Sequence, residues 1–269
     1  MRILCVALFA SLCAMPVWAN ARITILMDVL RMTEVVNILR EEGLTYGRAL
    51  DRDMLDGSGG EFWQAQVDQI YNTQQISERV RQSLELQLND VALEAAIDFF
   101  ASSTGSKVIQ LENTARRAMA DPDIERAARV FYIVQAENDD PLAQSVTRFV
   151  AENDLLERNI SGAMSANYQF YKGLADGNYS DQSDGDILNE IWSQQDDIRT
   201  DTKGWLNGFL LMAYQPLMLD EMEDYITYSA SPEGRALNAA LFEGFEAVYR
   251  DVSYALGRAV ALNATGDEI

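Results

Sequence analysis

Histidine is missing from this chain of 269 residues. That removes the commonest general base, the commonest metal ligand and every Ser-His or Cys-His nucleophile pair. Zinc hydrolases and zinc fingers lose their usual ligands with it. Cysteine is nearly as scarce: the two present are Cys5 and Cys13, both close to the N-terminus. Only five prolines occur, and patterns typical of strands are almost absent. Gly-rich phosphate loops, surfaces of alternating basic and aromatic residues, and low-complexity linkers are also lacking. Beyond the N-terminus no apolar run approaches the roughly 20 residues that a membrane-spanning helix needs. The most apolar stretch, 204–219, is interrupted by Asn207 and Gln215 and broken by Pro216, and it reads as a buried central helix.

The first residues read as a secretory leader. Arg2 supplies the positive start, residues 3–15 form an uncharged apolar run, and Pro16 ends it. Cleavage fits after Ala19 or after Ala21, where small residues stand at the required spacing. Both cysteines would leave with the leader, so no disulfide or thiolate chemistry is expected in the mature chain. An alternative is lipid attachment at Cys13, but the bulky Leu12 precedes it where a small residue is wanted. A mature chain of roughly 250 residues can bury a large core without disulfides. The expected location is the periplasm.

Acid outweighs base, with 42 Asp and Glu against 21 Lys and Arg. Loss of Arg2 with the leader makes the balance more acidic still. Such a surface stays soluble and repels nucleic acid and anionic lipid. A solvated acidic face with no specific partner is the plain reading, and cationic partners or divalent ions are the alternative.

Helical periodicity dominates the rest, and an all-α fold is expected. Thr33 stands before the apolar positions Val35, Val36, Ile38 and Leu39 as an expected N-cap. Asp121-Pro122 and Asp140-Pro141 each place a capping acid before a proline at the first helical position. Between them a short helix carries Val130, Phe131, Ile133 and Val134. From Pro141 to Leu174 the helical pattern continues. Leu84, Leu86 and Leu88 alternate briefly and mark a helix boundary. The expected organisation is a leader at 1–21, helical modules at 22–138 and 139–263 packed together, and a flexible tail at 264–269.

The two modules repeat each other. Residues 61–105 realign without a gap on 190–234, at a constant offset of 129. Trp63 falls on Trp192, Glu94 on Glu223, Ile97 on Ile226, Phe99 on Tyr228, Ser102 on Ser231 and Gly105 on Gly234. In the second copy Ser231 is expected to cap a new helix with Pro232 at its first position. A glycine three residues into that helix is unfavourable by about 1 kcal/mol against alanine, and a close approach at the corner would explain it.

This helix, aromatic, Ser-Pro-x-Gly, helix pattern resembles the bacterial domain-of-unknown-function family 2059. Residues 26–120 resemble one whole copy and 154–259 a second. The second keeps Tyr228-Ser229-Ala230-Ser231-Pro232-Glu233-Gly234, whereas the first has Ser103 where proline is usual. The resemblance implies an exported, all-helical protein and brings no activity or catalytic residues with it.

The two matched tryptophans of the four in the chain, Trp63 and Trp192, each two residues after an acid (Glu61 and Glu190), are expected to anchor the core of each module. Two acidic loops, 51–57 and 176–186, look superficially like calcium loops. The sixth residue from Asp51 is Asp56 and from Asp176 is Asp181, where the motif requires glycine, so they read as polar turns. The sequons at Asn159, Asn178 and Asn263 would matter only in a eukaryotic secretory route. No residue is assigned as catalytic, cofactor-binding or metal-ligating, and no cofactor is expected. The expected function is that of a non-enzymatic envelope protein binding a partner protein or an apolar ligand between its helices. The alternative is a carboxylate-dependent hydrolase of cell-wall glycan, which needs two carboxyls about 5–10 Å apart across a cleft. Glu94 and Glu223 are the duplicated acids it would draw on. On amphipathic helix flanks they should stay solvated and ionised.

Overall fold

The computed structural model describes residues 15–265, and within them every regular element is an α-helix. Residues 1–14, which hold the basic start and most of the apolar run of the expected leader and both cysteines, and residues 266–269 of the expected tail lie outside the described residues. The first half comprises α1 (Met15–Val29), α2 (Met32–Met54), α3 (Gly60–Ile70), α4 (Thr73–Gln87), α5 (Asp90–Ala101) and α6 (Ser103–Ala118). A connecting helix α7 (Pro122–Glu137) follows. The second half comprises α8 (Pro141–Glu152), α9 (Leu155–Asp176), α10 (Asp184–Ser193), α11 (Gln195–Tyr214), α12 (Leu219–Ala230) and α13 (Pro232–Thr265). No helix among the described residues is long and apolar enough to cross a membrane.

Local chemistry sets most boundaries. Asp121 accepts from the N–H groups of Asp123 and Ile124, and Asp140 from that of Ala143, each with proline next in the chain. The Ser102 and Ser231 hydroxyls accept from the N–H groups of Gly105 and Gly234 at 3.1 and 3.0 Å. Each also donates back to the preceding helix, to the Phe99 and Tyr228 carbonyls, both at 2.6 Å. A cap of this kind contributes about 1 kcal/mol. A Cβ on Gly105 would stand 2.2 Å from the Phe99 carbonyl oxygen, and one on Gly234 2.1 Å from that of Tyr228. The corner is too tight for a side chain, so only glycine fits at either position.

Elsewhere the boundaries differ from expectation. Thr33 is not a cap: α2 starts at Met32, after Arg31 in the left-handed conformation. The Arg31 carbonyl accepts from the Glu34 N–H at 2.8 Å, so α1 and α2 meet through backbone bonds and use no capping side chain. The pattern from 141 to 174 is two helices, separated at Asn153-Asp154, where Asp154 is also left-handed (φ 53°). Of the apolar stretch at 204–219, Leu206, Leu210, Leu211, Ala213, Tyr214 and Leu217 are buried, whereas Met218 and Leu219 are exposed; the helix begins earlier than expected, at Gln195, and ends at Tyr214, before Pro216.

The same order of pairings recurs in the two halves. Helix α1 packs on α2, α4 and α5, as α8 packs on α9, α11 and α12. Helix α2 meets α3 and α4, as α9 meets α10 and α11. The closing helices then cross over: α6 lies against α11, and α13 lies against α4. Two apolar clusters result, and neither stops at residue 138. One joins α1–α5 to Leu237, Val248, Val252 and Leu256 of α13. The other joins Val108 and Ala115 of α6 to α8, α11 and α12. Tyr225 packs against both clusters and stacks on Phe99 at 5.8 Å, and on the first cluster the rings of Phe99 and Tyr228 stack 4.1 Å apart and nearly parallel. Between α9 and α13, Gly173 and Gly257 bring the two backbones into direct contact.

Candidate functional site

Glu94 and Glu223, the acids aligned at the offset of 129, are surface clamps between helices. Glu94 on α5 receives Arg22 of α1 at 2.7 Å, and Asp90 receives the same guanidinium at 2.8 Å. Glu223 on α12 is bound by Arg148 of α8. One arrangement therefore serves both halves: an arginine on the first helix holds a glutamate on the fifth. Both glutamates remain more than half exposed, which suits structural ion pairs of small energy.

The tryptophans part company. Trp63 is 2% exposed, and its ring nitrogen donates to the Gly47 carbonyl at 3.0 Å. Trp192 is 61% exposed and anchors no core. Helix α10 buries Ile187 and Ile191 instead, and one further residue turns Trp192 about 100° away from that face. The acidic loops spend their carboxylates locally. Asp51 accepts from the Gly59 N–H, Asp176 from Lys172 and Tyr254, and Asp186 forms a capping box with Ser183. Among the described residues no group of three or more Asp or Glu is arranged to hold a metal ion.

Glu112 on α6 is the acid that the sequence did not single out. The Tyr214 hydroxyl donates to its carboxylate at 2.6 Å and that of Tyr225 at 3.3 Å. Phe149 and Tyr225, 4.9 Å apart, crowd the same place, with Tyr214 edge-on to both rings. Burial pushes the Glu112 carboxyl above the usual carboxylate range, and the two phenol donors oppose that rise. Burial beside the carboxylate also holds both phenols far above theirs, so they stay protonated donors. A signal was available: Glu112 lies four residues after Val108 and three before Ala115, both buried, so it falls on the apolar face of its helix. One turn on, Arg116 grips Glu42 of α2 through two bonds of 2.8 Å and reaches the Tyr249 hydroxyl at 3.2 Å. The chemistry at Glu112 is that of one acid with two phenols, which can hold a proton.

An open groove of about 900 Å³ lies between α4 and α13. Ile76, Val248 and Val252 form its apolar floor. Asn72, Gln75 and Gln82 bring carboxamides to its edge, and Arg79 bridges it to Asp251 at 2.8 Å. A carboxamide offers both a donor and an acceptor, and here the Asn72 oxygen already accepts from the Gln75 N–H and the Gln82 nitrogen donates to Glu78. The groove exists because α13 crosses from the second half to pack on α4. Its volume is that of a small-molecule or short-peptide site. Compared with protein-family models, with curated proteins and with solved structures, the chain matches none.

Proposed function

We propose that this is an exported, periplasmic, non-enzymatic binding protein whose site is the groove between α4 and α13, and that its two halves derive from one duplicated helical module. The observation that carries the binding role is that groove: an apolar floor with carboxamides at its rim. Such a lining suits an uncharged peptide segment of a partner protein, with apolar side chains down and backbone amides met by Asn72, Gln75 and Gln82. Export rests on the leader pattern, with which the resemblance to family 2059 agrees. The recurring order of helix pairings and the two matched Ser-Gly corners support the duplication.

The glycan-hydrolase alternative has lost its strongest candidates, since Glu94 and Glu223 are tied to arginines on separate helices. Incubating the protein with purified peptidoglycan is therefore expected to release no new reducing ends. The substitutions Glu94→Gln and Glu223→Gln should leave the helical signal unchanged. A measurable rate of release that either substitution abolishes, with folding intact, would establish the enzyme.

A further inference from the structure

We propose that the Arg79–Asp251 ion pair is a strap over the groove between α4 and α13, which parts to admit a peptide and re-forms across it. The inference rests on the binding role proposed for that groove and adds how entry is controlled. At one end the two walls are pinned together. Gly244 lets α13 lie against the backbone of α4, where an added Cβ would stand 3.2 Å from the Val80 Cα and 3.1 Å from the Ser83 Cβ. Beside it the buried Ser83 hydroxyl donates to the Ala240 carbonyl at 2.8 Å. The α13 residues that line the groove, Val248, Asp251, Val252 and Ala255, all lie beyond this contact. Asp251 stands seven residues past Gly244, two turns along the same helix face.

Beyond the pinned end a side-chain bridge crosses the opening. Arg79 on α4 donates through one guanidinium nitrogen to the Asp251 carboxylate at 2.8 Å. It is the one cation among the described residues that line the groove. On its rim it stands between two carboxamides, Gln75 one turn before and Gln82 one turn after. A peptide whose amides meet both carboxamides therefore has to cross the line of the bridge. The pair opens readily. Its partners are 47% and 63% exposed, so it is a weak contact that salt weakens further. A bridge closed both before and after binding contributes equally to the two states. It slows entry and exit alike and leaves the affinity unchanged.

The test reads rates as well as affinity. The ¹⁵N-labelled full chain is titrated with an acetylated, amidated alanine–leucine peptide, and line shapes give association and dissociation rates. The peptide is uncharged, so salt acts on its binding through the protein's own charges. Arg79→Gln and Asp251→Asn should each raise both rates about two- to fivefold, with the affinity held within about twofold. Salt at about 1 M should raise the rates of the unsubstituted protein toward those of the variants. Arg79→Asp with Asp251→Arg should restore the slow exchange. Unchanged rates in both single variants, with peptide shifts still in the groove, overturn the strap and leave the binding role standing. A loss of affinity with no rise in association rate would make the pair a ligand contact, and that too overturns the strap. No saturable shifts in parent or variants would remove the binding role and the strap together.

Discussion

Trp63→Ala is expected to lower the stability of the fold by about 3–5 kcal/mol. The ring is almost wholly enclosed within the cluster that joins α1–α5 to α13, and its N–H satisfies the Gly47 carbonyl. Removing it opens a cavity and leaves that carbonyl without its donor. Trp192→Ala removes the residue at the matching place in the second half and should change stability by less than about 0.5 kcal/mol, as surface substitutions do. Urea unfolding of the two variants measures the contrast directly. Equal losses would mean that Trp192 is enclosed in solution and that the two halves share a tryptophan core.

The second large effect is at Glu112 and depends on pH. Its carboxyl is raised by burial, so the folded state favours the protonated form more than the unfolded chain does. The stability it contributes is therefore fully present below the unfolded carboxylate value, about 4.3, and is lost as pH rises through the raised folded value. Glu112→Gln keeps an acceptor for Tyr214 and Tyr225 and cannot ionise. The variant should match the parent near pH 4 and exceed it at pH 7–8, the gap opening by at most about 1.4 kcal/mol per pH unit. Comparing the two proteins at each pH cancels the repulsion of the acidic surface. A parent more stable than the variant at pH 8 would mean that the phenols hold a carboxylate. Glu112→Ala also removes the acceptor, and stranding the buried Tyr214 hydroxyl should cost about 1–3 kcal/mol at any pH.

What could be read from the residues divides along the reach of the interaction. Caps at Asp121, Asp140 and Ser231 were legible because a cap needs only its own next three residues. The tight corner was legible for the same reason, with glycine at both Gly105 and Gly234. Thr33 misled because the break before α2 is made by backbone bonds around Arg31, which leave no mark in side-chain chemistry. Trp192 misled because matching sequence positions do not ensure matching helix phase, and α10 turns a different face inward. Glu112 was missed because both its partners lie more than 100 residues away. Nothing in the chain announces that α6 crosses to α11 and α13 to α4. The groove is a product of that crossing and was invisible for the same reason.

The central claim is that this groove binds an uncharged peptide segment. It is tested most directly by titrating the ¹⁵N-labelled protein with an acetylated, amidated alanine–leucine peptide and following backbone amide shifts. The expected result is saturable shifts concentrated at Asn72, Gln75 and Gln82 on one side and Asp251 and Ala255 on the other, abolished by Gln75→Ala with Gln82→Ala. Saturable shifts centred elsewhere, or none in the groove at millimolar peptide, would contradict it.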